Sequence, residues 1–216
     1  TVASMPLADE VPSRGVPIGP RAVSWKATSP HTLFWLEALD GGDPMAKAPH
    51  RDRIMRLEGK FTGEPKEVWK TQHRIRGWSW GGDGTTLMVT ERQRMKRWRK
   101  TWLLNVDTGK AKLWYERNEK DRYNSPGSPM YRYLENGRVV LRQEGDSIYF
   151  RGSGSTPSGD RPFVDLRSMK TDKVERLFRS SPDKYQTFVG FAGDTNQLII
   201  RSESPTEVPN YHLATL

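Results

Sequence analysis

The residues that could do chemistry begin with a serine between two glycines. Gly77-Trp78-Ser79-Trp80-Gly81 fits G-x-S-x-G, the pattern of a strained strand-to-helix turn that lifts a serine Oγ clear of a sheet. Asp160 or Asp165, followed by His212, completes a formal Ser, Asp, His order for acyl transfer. That chemistry needs a helix directly after the serine, so that backbone N–H groups meet the developing oxyanion. Here Asp83-Gly84-Thr85 reads as a turn and Thr86-Leu87-Met88-Val89-Thr90 as a strand. A tryptophan-bearing strand followed by Asp-Gly is what a first hairpin requires, because Gly accepts a positive φ. The motif is therefore read as structural, and no catalytic residue is assigned.

The other candidates for chemistry are thin. His31, His50, His73 and His212 are scattered, with no pair at i, i+4, and the chain has no Cys. Neither a metal site nor a cofactor site is expected, and disulfides and thiolate nucleophiles are excluded. The stretch from Gly152 to Gly159 is rich in Gly and Ser but lacks the Lys after a final Gly that a phosphate loop carries; it reads as a link between strands. The unusual local feature is basic: Arg92, Arg94, Lys96, Arg97, Arg99 and Lys100, with Trp98 and Trp102 beside them. Guanidinium groups pair bidentately with carboxylates, so the run suits steering of acidic peptides. Basic and aromatic residues together also suit single-stranded nucleic acid, the less favoured partner. A third reading is a solvated loop whose alkyl stems cover a Trp face.

These side chains must be positioned by a sheet protein. The 216 residues contain 8 Trp, 7 Tyr and 7 Phe against a hydrophobic share of only 34%. Mean hydropathy is -0.79. Such a chain spends aromatics on thin cores and turns rather than on one thick core, and 19 Gly and 15 Pro supply the turns. The net charge is +9, which implies either a wet basic surface or an anionic partner. No apolar run is long enough for a transmembrane helix, and no membrane association is expected. Thr1 to Pro6 has neither the basic nor the apolar region of a signal peptide, so no targeting segment is read in the chain.

Residues 1–18 hold three prolines and little periodicity, and are read as an extended lead-in. After them one pattern returns: an aromatic-bearing strand, a Gly/Asp turn, an apolar strand, a longer link, then two more strands. The clearest copy runs through Arg76–Trp80, Thr86–Thr90, Thr101–Val106 and Ala111–Tyr115, with Asp107-Thr108-Gly109-Lys110 as a hairpin turn. An earlier copy has Ala22–Trp25, Thr32–Leu36, Arg53–Leu57 and Glu67–Lys70. A later one has Val139–Leu141, Ser147–Phe150, Pro162–Leu166 and Val174–Phe178. A last copy opens with Thr187–Phe191 and Gln197–Arg201 and breaks off near Tyr211–Leu213. Arg92 to Trp98 has room for a turn or two of helix. The expected fold class is all-β, a partial β-propeller of about three and a half four-stranded antiparallel blades. The approximate blades are 19–72, 73–118, 124–180 and 183–216, the last incomplete. An open arc should leave Trp25, Phe34 and Trp35 at one end, and Phe188, Phe191, Leu198 and Ile199 at the other, in water.

Several stretches, in order, resemble the propeller of glutamyl endopeptidases within the prolyl oligopeptidase family of serine peptidases. They are Gly15–Arg21, Trp35–Pro44, Asp121–Pro129, Gly152–Asp165 and Glu203–Tyr211. The resemblance implies a propeller over a C-terminal α/β-hydrolase domain that holds the catalytic triad. It implies peptide substrates cut after Glu, and a bacterial envelope or plastid location. On this reading the chain is a non-catalytic portion that gates or steers peptides toward a hydrolase domain absent from it. The alternative is a free-standing propeller-like interaction module for an anionic partner. A reading frame that continues past Leu216 into a hydrolase domain would separate the two.

Overall fold

The computed structural model describes residues 6–59, 61–171, 173–193 and 197–215. Among these, regular structure is β apart from one 3-10 turn at Ala8–Glu10. The chain divides into two compact units, one running through Asn118 and including Tyr133–Val140, the other formed by Glu119–Arg132 and the residues from Leu141 onward.

The first unit holds two four-stranded sheets. One consists of β1 (Arg21–Trp25), β2 (Thr32–Ala38), β3 (Asp52–Glu58) and β4 (Lys66–Thr71). The other consists of β5 (Arg74–Trp80), β6 (Thr86–Gln93), β7 (Trp98–Asn105) and β8 (Ala111–Asn118). In both, strands neighbour one another in chain order and every pair is antiparallel. The run Leu33–Leu36 in β2 is buried throughout, which is how a central strand covered on both faces reads. Alternation sends Phe34 and Leu36 with Ile54 to one face, where they meet Trp80, Leu87, Val89 and Leu104 of the second sheet. Phe34 and Trp80 meet edge to face at 4.9 Å. Leu33, Trp35, Met55 and Leu57 form a separate buried cluster on the other face. Full burial of side chains such as Phe34 and Leu87 stabilises by about 1.5–3 kcal/mol each.

The turn after Trp80 shows why Asp and Gly stand there. Asp83 Oδ1 accepts the N–H groups of Thr85 and Thr86, each at 2.8 Å. Gly84 has φ +72°, and a Cβ on it would lie 2.4 Å from Thr28 Oγ1. A β strand, β6, follows this turn, as the residues predict.

The second unit repeats the plan. Its larger sheet runs β12 (Gln143–Glu144), β13 (Ser147–Gly152), β16 (Phe163–Ser168) and β17 (Val174–Arg179), with β9 (Ser128–Pro129) also pairing β13. Between β13 and β16, β14 (Ser155–Thr156) and β15 (Gly159–Asp160) form a small hairpin, so the Gly/Ser stretch does link two strands. A three-stranded sheet follows, of β18 (Tyr185–Phe191), β19 (Gln197–Ser204) and β20 (Glu207–Thr215). Tyr149 and Val164 of the larger sheet pack with Leu198 and Ile200 of the smaller, beside Phe188 and Phe191.

Three expectations are corrected. Val139–Leu141 does not open the third sheet: as β11 it pairs with β10 (Tyr131–Tyr133) in a two-stranded hairpin. Asn136-Gly137 is the cause, because it turns the chain back on itself: Leu134 N–H donates to Arg138 O at 2.8 Å and Gly137 has φ +74°. Residues 92–98 form no helical turn but the end of a hairpin, since β6 continues to Gln93 and β7 begins at Trp98. The apolar residues expected in water are largely covered. Phe34, Trp35 and Leu198 are buried, and Phe188, Phe191 and Ile199 are half-buried; only Trp25 is exposed. Phe34 faces the second sheet, Trp35 packs in the cluster on the opposite face, and Leu198 faces the larger sheet of its unit, so each has a partner inside its own unit.

Candidate functional site

The basic run lies on the hairpin of β6 and β7. Pairing sets Arg74, Arg92, Arg99 and Arg117 opposite one another across β5, β6, β7 and β8. The next row reads Ile75, Glu91, Lys100, Glu116. A row of four cations is tolerable because the groups disperse. Arg74 turns to Asp40 and Asp52, while Arg117 donates to Asn118 O at 3.3 Å. Lys100 sits between two carboxylate-bearing residues in its own row, an arrangement that lowers its repulsion with neighbours.

The six predicted residues therefore separate into two groups. Arg92, Arg99 and Lys100 are half-buried in the strands, whereas Arg94, Lys96 and Arg97 are exposed at the turn with Met95. The flanking tryptophans are occupied. Trp98 Nε1–H donates to Glu116 Oε2 at 2.9 Å, and Trp102 Nε1–H to Glu91 Oε1 at 2.9 Å. Glu91 is only 1% exposed and also accepts the His73 N–H at 2.8 Å. Burial holds the His73 imidazole below its ordinary range; Glu91 opposes this, and Lys100, Arg51 and Lys96 add to it.

Ser79 lies in mid-strand on β5, paired with Met88, and the residue after it, Trp80, is buried against Phe34. Asp165 is paired with Arg176, Asp160 is on the small hairpin, and His212 is exposed on β20 opposite Ile200. All three belong to the second unit and Ser79 to the first. His31, His50 and His73 are on separate loops, and among the described residues no group of three His, Cys, Asp or Glu could hold a metal ion.

Sequence reasoning missed a buried charge cluster in the first unit. Asp40 and Asp52 have fully buried side chains. Arg74 Nη2 donates to both oxygens of Asp40, at 2.8 and 2.7 Å, and Nη1 to Asp52 Oδ1 at 2.5 Å. Arg51 adds a 2.7 Å bond to Asp40, Arg21 pairs with Asp52, and Asp52 Oδ2 accepts the Ile75 N–H at 2.7 Å. Burial pushes the Asp40 carboxyl up, but hydrogen bonds and charge from Arg74 and Arg51 outweigh it and hold the group below its ordinary range. The cluster ties β3 to the start of β5. Its members stand too far apart in the chain to give a local motif.

No family profile matches the chain. Two curated proteins match nearly all of it, each described as "Probable glutamyl endopeptidase, chloroplastic". The one from Arabidopsis thaliana is 32% identical over 234 residues, covering 98% of this chain and 24% of its own length. The one from Oryza sativa subsp. japonica is 30% identical over 233 residues, covering 98% and 25%. The chain thus spans about a quarter of the length of these relatives. Among solved structures, prolyl oligopeptidase B from Galerina marginata aligns with 94% of this chain and 28% of its own, at 12% identity and a TM-score of 0.47. An uncharacterised protein from Listeria monocytogenes aligns with 91% and 54%, at 10% identity and a TM-score of 0.48. In sequence, nearly the whole chain is similar to about a quarter of each of these two probable glutamyl endopeptidases.

Proposed function

We propose that the chain is part of a β-propeller, about three and a half blades long, and that it is a non-catalytic portion of a serine peptidase. Its task is to gate or steer peptides toward an α/β-hydrolase domain carried elsewhere in the polypeptide. The observation that carries this reading is the match of 98% of the chain to a quarter-length stretch of glutamyl endopeptidases. Successive antiparallel meanders support it, since a four-stranded meander is the repeating part of a propeller. The basic hairpin supports a preference for acidic peptides, because clustered cations raise the local concentration of anionic substrate.

The test uses the full-length protein that contains this chain. Arg94→Gln, Lys96→Gln and Arg97→Gln together should lower kcat/KM for Glu-rich peptides about three- to tenfold at low salt, through capture rather than kcat. The difference should vanish near 1 M salt, where the Debye length is about 3 Å. An unchanged kcat/KM at low salt removes the steering role. Separately, the 216-residue chain should not react with a serine-directed fluorophosphonate. Labelling lost in Ser79→Ala would overturn the non-catalytic reading.

A further inference from the structure

The end of the β6–β7 hairpin breaks two local rules at once. Arg97 has φ +52°, the left-handed region where Gly or Asn is cheaper and other residues cost about 1–2 kcal/mol. Beside it Met95 is 92% exposed, in a turn where a polar residue would serve solubility better. Local costs without a packing return gather at contact sites, where the group itself is what is used. The turn is also held in shape. Arg97 N–H donates to Arg94 O at 3.1 Å, and Asn118 Nδ2–H to Lys96 O at 3.3 Å. The Trp98–Glu116 bond fixes the first residue of β7. A rigid tip loses little entropy when something docks on it.

We propose that Arg94–Arg97 is a preformed prong for an acidic peptide that carries aliphatic side chains beside its carboxylates. Arg94, Lys96 and Arg97 are the anion contacts and Met95 is the apolar one. The inference rests on the reading of this hairpin as an acidic-peptide contact, and narrows it to the tip. Met suits the apolar role because its unbranched thioether adapts to varied partners. Among the described residues, Arg94, Lys96 and Arg97 have no carboxylate partner. Glu91 and Glu116 stand back in the strands, bonded to Trp102 and Trp98. Those bonds also argue for peptide over nucleic acid. Base stacking needs an open aromatic face, yet Trp98 is half-buried and tied to Glu116, and the tip has no ring of its own.

The experiment measures binding to the 216-residue chain by fluorescence anisotropy. The probes are a fluorescein-labelled peptide of alternating Glu and Leu, its Glu/Gln counterpart, and an oligothymidylate of equal charge. The Glu/Leu peptide should bind best, and Arg94→Gln/Lys96→Gln/Arg97→Gln should raise its Kd about tenfold. Met95→Ser should erase the preference for Glu/Leu over Glu/Gln. Arg97→Gly should raise Tm yet weaken binding; a turn with only a structural role would gain Tm with Kd unchanged, and that result overturns the prong. Binding lost in Arg92→Gln/Arg99→Gln but kept in the tip variant also overturns it, while leaving the hairpin as a steering element. Absence of binding to either acidic peptide overturns both readings. Oligothymidylate binding as tightly, with the same tip dependence, overturns the peptide as partner.

Discussion

Arg74 is the side chain on which most of the buried charge in the first unit depends. One guanidinium serves both oxygens of Asp40 and one of Asp52. Arg74→Ala leaves two buried carboxylates short of donors, so it should destabilise by about 3–5 kcal/mol in urea unfolding followed by tryptophan fluorescence. Arg74→Lys should recover only part of this, since an ammonium cannot reproduce a fork that reaches two carboxylates. The pH dependence has a definite sign. Asp40 is held below its ordinary 3.8, so its contribution is present above that value and lost as pH falls through the lowered one. Stability of the parent chain should drop below about pH 4, and Arg74→Ala should flatten that drop. A parent chain equally stable across this window would show that the cluster contributes nothing to it. In the second unit, burial and then the bond to Glu144 push the Tyr149 hydroxyl up to about 12, so it stays a neutral donor at any ordinary pH.

At the scale of elements, Gly77 within the tryptophan-rich strand and Gly84 in the turn after it behave differently. Gly84 needs its φ of +72° and has Thr28 against it, so Gly84→Ala should cost more than about 1 kcal/mol. Gly77 has open space where a Cβ would go and is exposed on β5. Gly77→Ala should therefore be neutral, or stabilising by up to about 1 kcal/mol. Thermal unfolding of the two variants side by side reads this directly, and a large loss for Gly77→Ala would speak for a strained serine turn. Strands with dense apolar runs were legible in advance: Thr32–Leu36, Thr86–Thr90 and Gln197–Arg201 all lie within strands. The hairpin of β10 and β11 was not, although Asn136-Gly137 is a strong hairpin signal. Tyr131-Arg132-Tyr133 is short, exposed and without an aliphatic residue, so its strand character depends on the partner strand that the Asn136-Gly137 turn folds onto it.

At the scale of the whole chain, exposed apolar surface tends to drive association, and it lies elsewhere than at Phe34 and Leu198. Inter-sheet packing within each unit covers Phe34 and Leu198. Among the described residues, β20 is an edge strand paired with β19 alone, where Val208 is 83% exposed and Tyr211 and Leu213 each 62%. Its charged residue, Glu207, is at its start and is paired with Lys184, and Pro209 interrupts the first half; the second half, Asn210–Thr215, carries no Lys, Arg, Asp or Glu, and such an edge with apolar side chains invites pairing. Sedimentation over a concentration series should show a rising weight-average mass, and Tyr211→Lys/Leu213→Lys should suppress the rise. A mass independent of concentration would mean that the +9 charge already keeps copies apart.

The amino-acid sequence by itself determined the strands and most of their turns, because alternation and Gly, Asp and Asn chemistry act over a few residues. It also showed that a strand follows Ser79, which is a local property of Asp83-Gly84-Thr85 and the apolar run after it. Only the tertiary structure decided which charges meet. Arg21, Asp52 and Arg74 come from three different strands and Asp40 and Arg51 from the two ends of the link between β2 and β3, and the pairing of the strands brings them together. It likewise divided the basic run into half-buried Arg92, Arg99 and Lys100 and exposed Arg94, Lys96 and Arg97, since the position of a hairpin turn within a charged stretch depends on how the strands beside it pair. Burial of Phe34 and Trp35 was decided in the same way: a side chain's exposure depends on what packs over its face, and that partner lies far away in the sequence.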